Sequence, residues 1–157
     1  MDAPGTALEQ YFNQLIHMRL LAQVVVSDKQ GNTILACFGS PDSTMNDGAG
    51  AGDGNNHNGG GEGQDEEEWQ TESNVTVSGA RYFQNLEQLQ LGTPTYITAQ
   101  YHDAVVVQLM EPGGCILTLI GSRAKGQFTG GLLSLVPQIR RTTVYTELLR
   151  KVEDCMQ

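Results

Sequence analysis

The stretch Ile120–Gly131 reads IGSRAKGQFTGG, with four residues between Gly121 and Gly126, Arg123 and Lys125 among them. That spacing is the opening of a phosphate-binding loop, whose backbone amides cradle an anion. Such a loop also needs Lys and then Ser or Thr directly after its second glycine, to reach the outer phosphates and their magnesium. Here Gln127 and Phe128 stand in those places. The strand before them belongs to an antiparallel run, unlike the parallel sheets of nucleotide hydrolases. The stretch therefore reads as a flexible connector from strand to helix. His17, His57 and His102 have no partner at metal-ligand spacing. Asp53–Asn58 begins like a calcium loop, but Asn58 fills the sixth position, which needs glycine, and Gln64 replaces the bidentate glutamate at the twelfth. Cys37, Cys115 and Cys155 are odd in number and far apart. They suit small core residues better than a disulfide framework or a nucleophile. The expectation is a chain with no catalytic, cofactor-binding or metal-binding residues, and hence not an enzyme.

The elements that would hold any site divide around residues 40–72. This segment carries nine acidic residues and no Lys or Arg, while the other nine acids are matched by the nine Lys and Arg of the chain. The whole formal charge of −9 thus lies in it. So few large apolar side chains cannot offset the ordering entropy, which predicts a disordered insertion within one small domain. The neutral remainder has no basic footprint for nucleic acid. The start MDAPGTALEQYF lacks a secretory signal, and no apolar run is long enough to span a bilayer.

Thr6-Ala7-Leu8-Glu9 has capping-box spacing, and Leu8, Phe12, Leu15 and Ile16 recur at helical intervals, predicting a first helix. AQVVVSD, the turn KQGN and TILACFG predict a hairpin. After the insertion, Tyr82, Phe83, Leu86, Leu89 and Leu91 fit a short helix over 78–91, closed by Gly92. PTYITAQY, AVVVQLM and CILTLIGS follow with links too short for a crossover, so they form an antiparallel meander. A long helix is expected over 129–156, with Pro137 inside it either kinking it or resetting its start. Arg140-Arg141 and Arg150-Lys151 on it read as a solvated face, the alternative being a patch for an acidic partner.

Three strands are near-continuous apolar runs and so covered on both faces. PTYITAQY alternates and opens with Pro94, which marks an edge strand. An uncharged, β-prone edge beside a helix bearing aromatic and leucine side chains is an aggregation hazard unless something pairs with it. The inference is a partner-binding surface comprising Tyr82, Phe83, Leu86, Leu89, Tyr96, Ile97, Thr98 and Tyr101; the alternative is a shielded edge in a monomer.

Four stretches in this order, VVVSDKQGN, LEQLQLG, AQYHDAVVVQL and TGGLLSL, resemble the roadblock family, and within it the mitogen-activated kinase scaffold subunits of Ragulator (LAMTOR) complexes. The resemblance covers nearly the whole chain apart from residues 40–72. It implies a single α+β roadblock domain over 1–39 and 73–157, ordered α-β-β-α-β-β-β-α. A five-stranded antiparallel sheet would carry the first and last helices on one face and the second on the other. It further implies pairing through the second helix and third strand with a second roadblock subunit, as a heterodimer. Its implied role is service to Rag-type small GTPases, TOR signalling and MAP-kinase components. The implied location is cytoplasmic, at the late endosome or lysosome surface, with membrane contact only through a lipidated partner. A homodimeric roadblock protein regulating a small GTPase directly is the alternative; a small-molecule sensor is a third.

Overall fold

The computed structural model describes residues 4–39 and 62–155. In chain order these form α1 (Pro4–His17), β1 (Gln23–Ser27), β2 (Thr33–Phe38), α2 (Glu62–Glu87), β3 (Tyr96–Gln100), β4 (Ala104–Met110), β5 (Ile116–Ser122), α3 (Thr129–Arg141) and α4 (Thr143–Cys155). The strands make one antiparallel sheet in the order β2-β1-β5-β4-β3. The expected α+β roadblock architecture is the observed one. β1, β4 and β5, the near-continuous apolar runs, are buried almost throughout, whereas β3 alternates and forms one edge.

The larger core lies between the sheet and α1, α3 and α4. Leu8, Phe12 and Leu15 of α1 meet Val24, Val26, Val105, Val107, Leu117 and Leu119 of the strands, with Leu132, Leu135, Ile139 and Tyr145 from the last two helices. Strand periodicity sends the intervening residues to the other face. There Ala80 and Phe83 of α2 pack on Ile116, with Ile97 and Met110 beside them.

Four expectations need correction. α1 includes Thr6, so the chain does not cap there; Pro4 opens the helix, where its missing amide costs nothing. α2 begins at Glu62, inside the segment expected to be disordered, because Gln64–Glu72 is rich in good helix formers. Residues 40–61 of that segment lie outside the described residues. α2 also ends earlier, at Glu87, and Gln88–Leu91 turn away through short-range bonds such as Leu89 N–H to the Leu86 carbonyl (3.2 Å), with Gln90 at φ 60°. The last helix is two. Pro137 sits on the exposed side of α3, and the helix runs on through it. The break comes at Thr142, extended at φ −70° and ψ 134°, in the β-branched run Thr142-Thr143-Val144. Its hydroxyl donates to the Ile139 carbonyl (2.7 Å), and its own carbonyl accepts from Thr146 N–H (3.2 Å). One residue thus closes α3 and opens α4. The elbow lets α4 return onto α1, where the Phe12 and Tyr145 rings meet edge-on at 6.5 Å.

Two glycines let α2 lie close to the sheet. A Cβ on Gly31, already at φ 92°, would come within 2.8 Å of the Val77 Cα. A Cβ on Gly79 would fall inside the side chain of Gln108. That buried amide donates to Thr118 Oγ1 (3.2 Å) and to the Val75 carbonyl (3.3 Å), so it cannot swing away without losing both bonds. Gly79→Ala is therefore expected to lower stability by about 1–3 kcal/mol through overpacking, despite a helix-propensity gain of about 1 kcal/mol. Gly130→Ala, with open space at its Cβ, should be neutral or stabilising. Urea denaturation of both variants checks this, and adding Gln108→Ala to Gly79→Ala should recover part of the loss.

Candidate pairing interface

Register decides which main-chain groups of β3 face solvent. Met110 N–H donates to the Thr95 carbonyl (3.0 Å) and Tyr101 N–H to the Ala104 carbonyl (2.7 Å). The intervening register, Ile97 opposite Gln108 and Ala99 opposite Val106, keeps the odd residues bonded to β4. The N–H and C=O groups of Tyr96, Thr98 and Gln100 consequently point outward from the sheet. They form an open rail roughly 17 Å long for a five-residue strand.

The side chains divide by face. Tyr96 and Thr98 lie opposite Leu109 and Val107, on the α1/α3/α4 side, but beyond the reach of those helices, and both are exposed. Ile97 turns to the α2 side and packs beside Phe83. Phe83 itself is buried, so it cannot meet a partner; it anchors α2 to Ile116 instead. Of the eight residues expected at the surface, Phe83 and Ile97 therefore support it from within. Tyr82, Leu86, Leu89, Tyr96 and Tyr101 are exposed apolar side chains, and Leu91, at 87 % exposure, is the most exposed of the large ones among the described residues. Leu86 and Tyr82 project from α2, whereas Leu89 and Leu91 come from the turn after it. The observed surface is thus an open strand edge with apolar side chains on both flanks.

A hollow of about 390 Å³ is lined by Glu111, Pro112, Arg140, Tyr145, Thr146 and Leu149. Its charges are already matched: Glu111, nearly fully buried, accepts from Arg140 Nη2 (2.7 Å) and Nε (3.1 Å). Arg140 keeps about half of its side chain in solvent (47 %) while it pairs with Glu111, so it is both exposed, as expected, and engaged. The spacing from Glu111 to Arg140 crosses a strand and a helix, and no local pattern signals the pair. Burial, and next the Glu111 charge, push the Tyr145 hydroxyl well above the usual tyrosine range. Among the described residues no three His, Cys, Asp or Glu side chains cluster as metal ligands, and no helix is long and apolar enough to cross a membrane. Gly121–Gly126 forms a tight turn in which Gln127 Oε1 accepts from Ser122 N–H (2.8 Å), so a side chain occupies the place of an anion.

Burial, and secondarily Glu9, push the Cys37 thiol up to about 11; burial, then Asp28 and Glu111, raise Cys115. Both stay protonated, hence unreactive, at neutral pH. Iodoacetamide at pH 8 should modify exposed Cys155 alone in the native protein and all three cysteines after denaturation, as read by mass spectrometry.

The register makes a second expectation. Thr98→Pro removes an outward amide and should leave the isolated fold's melting temperature nearly unchanged, whereas Ala99→Pro removes a ladder bond and should cost about 3 kcal/mol. Circular dichroism melts separate them.

No protein-family model and no curated protein matches the chain. Solved structures do. MglB in a tetrameric arrangement superposes with a TM-score of 0.60 over 98% of this chain and 93% of that one, at 9% identity. The gliding protein MglB from Thermus thermophilus gives 0.58 over 96% and 94%, at 10% identity. MglB from Myxococcus xanthus gives 0.58 over 98% and 93%, at 11% identity. At such identities the likeness is one of fold.

Proposed function

We propose that this chain is a non-catalytic roadblock module that pairs through β3 and α2 with a second roadblock chain, and that the paired form regulates a small GTPase. The observation that carries this reading is the outward rail of Tyr96, Thr98 and Gln100 flanked by the apolar side chains of Tyr82, Leu86, Leu89 and Leu91. Strand addition supplies main-chain hydrogen bonds, and the flanking side chains supply burial and register. Two identical edges joined about a two-fold axis would make one continuous ten-stranded sheet with the two α2 helices side by side.

The GTPase comes from the roadblock resemblance of the sequence. A structural neighbour described in a tetrameric arrangement supports self-assembly, and so favours a homodimeric regulator over an obligate heterodimer. The finer reading, a Ragulator-like scaffold paired with a different roadblock subunit and serving Rag GTPases and MAP-kinase components at the late endosome or lysosome, rests on sequence resemblance alone. Sedimentation velocity of the lone chain distinguishes them: a homodimer supports the first, and a chain that aggregates until a second roadblock subunit is co-expressed supports the second. A stable monomer at high concentration overturns both. Leu86→Asp with Leu89→Asp should abolish pairing while leaving the monomer's circular dichroism intact. Ile97→Lys would not be a clean test, because Ile97 belongs to the core beneath α2.

A further inference from the structure

At the end of the sheet where β5 finishes, three connections lie together: residues 18–22, 101–103 and 123–128. α1 closes in a Schellman arrangement, with Leu20 N–H to the Leu15 carbonyl (3.1 Å) and Arg19 N–H to the Ile16 carbonyl (3.0 Å). This sets Arg19 at φ 61°, the position glycine fills at no steric cost. Arginine there is strained, and strain that persists at an exposed position points to a use for the side chain.

The neighbouring loop is fixed to this one. Gln127, buried, donates from Nε2 to the Arg19 carbonyl (3.0 Å) while its Oε1 holds Ser122 N–H. Arg123 is fixed in turn, its main chain on the Asp103 carbonyl and its Nη1 on the Tyr101 carbonyl, both at 3.0 Å. The latch brings together the loops bearing three exposed apolar side chains, Met18, Leu20 and Phe128. Around Phe128 the backbone is bare, since a Cβ at Gly126, Gly130 or Gly131 would meet nothing within 4 Å. Arg19, Arg123 and Lys125 are exposed on these loops against a single carboxylate, Asp103, in a chain whose formal charge is −9.

We propose that this end of the sheet docks an acidic amphipathic segment of a partner protein. Phe128, Leu20 and Met18 receive its apolar side chains, and Arg19, Lys125 and Arg123 its carboxylates. The charge balance of the three loops selects an acidic partner. Three cations and one aromatic are a small anchor for an anionic bilayer. The proposal does not depend on pairing through β3.

The test uses the full chain and a fluorescein-labelled 18-residue amphipathic peptide with leucines on one face flanked by glutamates, read by anisotropy. Binding should weaken with added salt and be absent for the same peptide with lysines in place of the glutamates. Phe128→Ser and Lys125→Glu should each weaken binding at least tenfold, the first with a melt unchanged or raised, since serine suits the N-cap position that Phe128 holds in α3, and the second with no change in the melt. Arg19→Gly is the decisive variant, expected to raise the melting temperature by a few degrees while weakening binding about fivefold. Failure of the glutamate peptide to bind, equal binding by the lysine peptide, or an Arg19→Gly protein that binds as tightly as the parent overturns the proposal. Sedimentation with phosphatidylserine vesicles that the same substitutions abolish, in the absence of peptide binding, also overturns it and assigns the surface to membranes.

Discussion

A sheet that is not closed into a barrel must end, and the last strand then carries main-chain donors and acceptors that no neighbour satisfies. In this protein the two ends differ. β2 is an edge whose neighbours include α1, packed against it, with Cys37 directed toward the Glu9 carbonyl. β3 has alternate N–H and C=O groups turned outward with no charged side chain along the strand to discourage company. Water satisfies those groups in the isolated chain, so the edge costs little by itself. It is an invitation to another strand, and the placement of α2 decides how that strand is received.

The described part of α2 buries fewer apolar side chains than the helices on the other face. Among its described side chains Phe83 and Ala80 are the buried apolar ones, and they meet Ile116, with Ile97 and Met110 beside them. α1, α3 and α4 contribute eight of the eighteen core residues in the larger cluster. The deficit is made up by a polar pin: Gln108 reaches from β4 to the helix carbonyl of Val75, beside a glycine that lets the backbone come near. A buried amide satisfied in this way specifies position more than it adds stability. A second α2 laid alongside would cover Tyr82 and Leu86 and hold the helix down, so assembly and the ordering of this layer reinforce each other.

Much of this architecture is legible in the sequence. Strand boundaries follow from apolar runs bounded by glycine and polar turns, and the ranking of strands by burial follows from whether they alternate. Helix limits are less so. Thr142 breaks the last helix through its neighbours' β-branching and the bonds it makes in both directions, whereas the helix runs on through Pro137, the louder signal. Phe83 and Ile97 show a different limit: periodicity places a residue on an apolar stripe but not on its inner or outer half, and α2 has apolar side chains on both. The Glu111–Arg140 pair joins residues 29 apart in sequence, and only the fold brings them together. Arg19 carries no sequence signal at all, since any residue can follow a helix and only the dihedral reveals the strain.

The geometry of an edge-paired dimer fixes where the end surface would lie. Strand addition extends the sheet sideways, along the direction of its hydrogen bonds, and leaves both ends of every strand open. Antiparallel pairing of two β3 strands about a two-fold axis turns the copies so that corresponding loops point opposite ways. The Met18, Leu20 and Phe128 loops of one copy would then stand at one end of the ten-stranded sheet, and those of its mate at the other. Neither would be covered by the pairing, and each would remain open to a separate partner. Pairing and end docking therefore draw on different groups, outward amides in one case and fixed cations around exposed apolar side chains in the other. That separation would let one chain hold more than one partner at once.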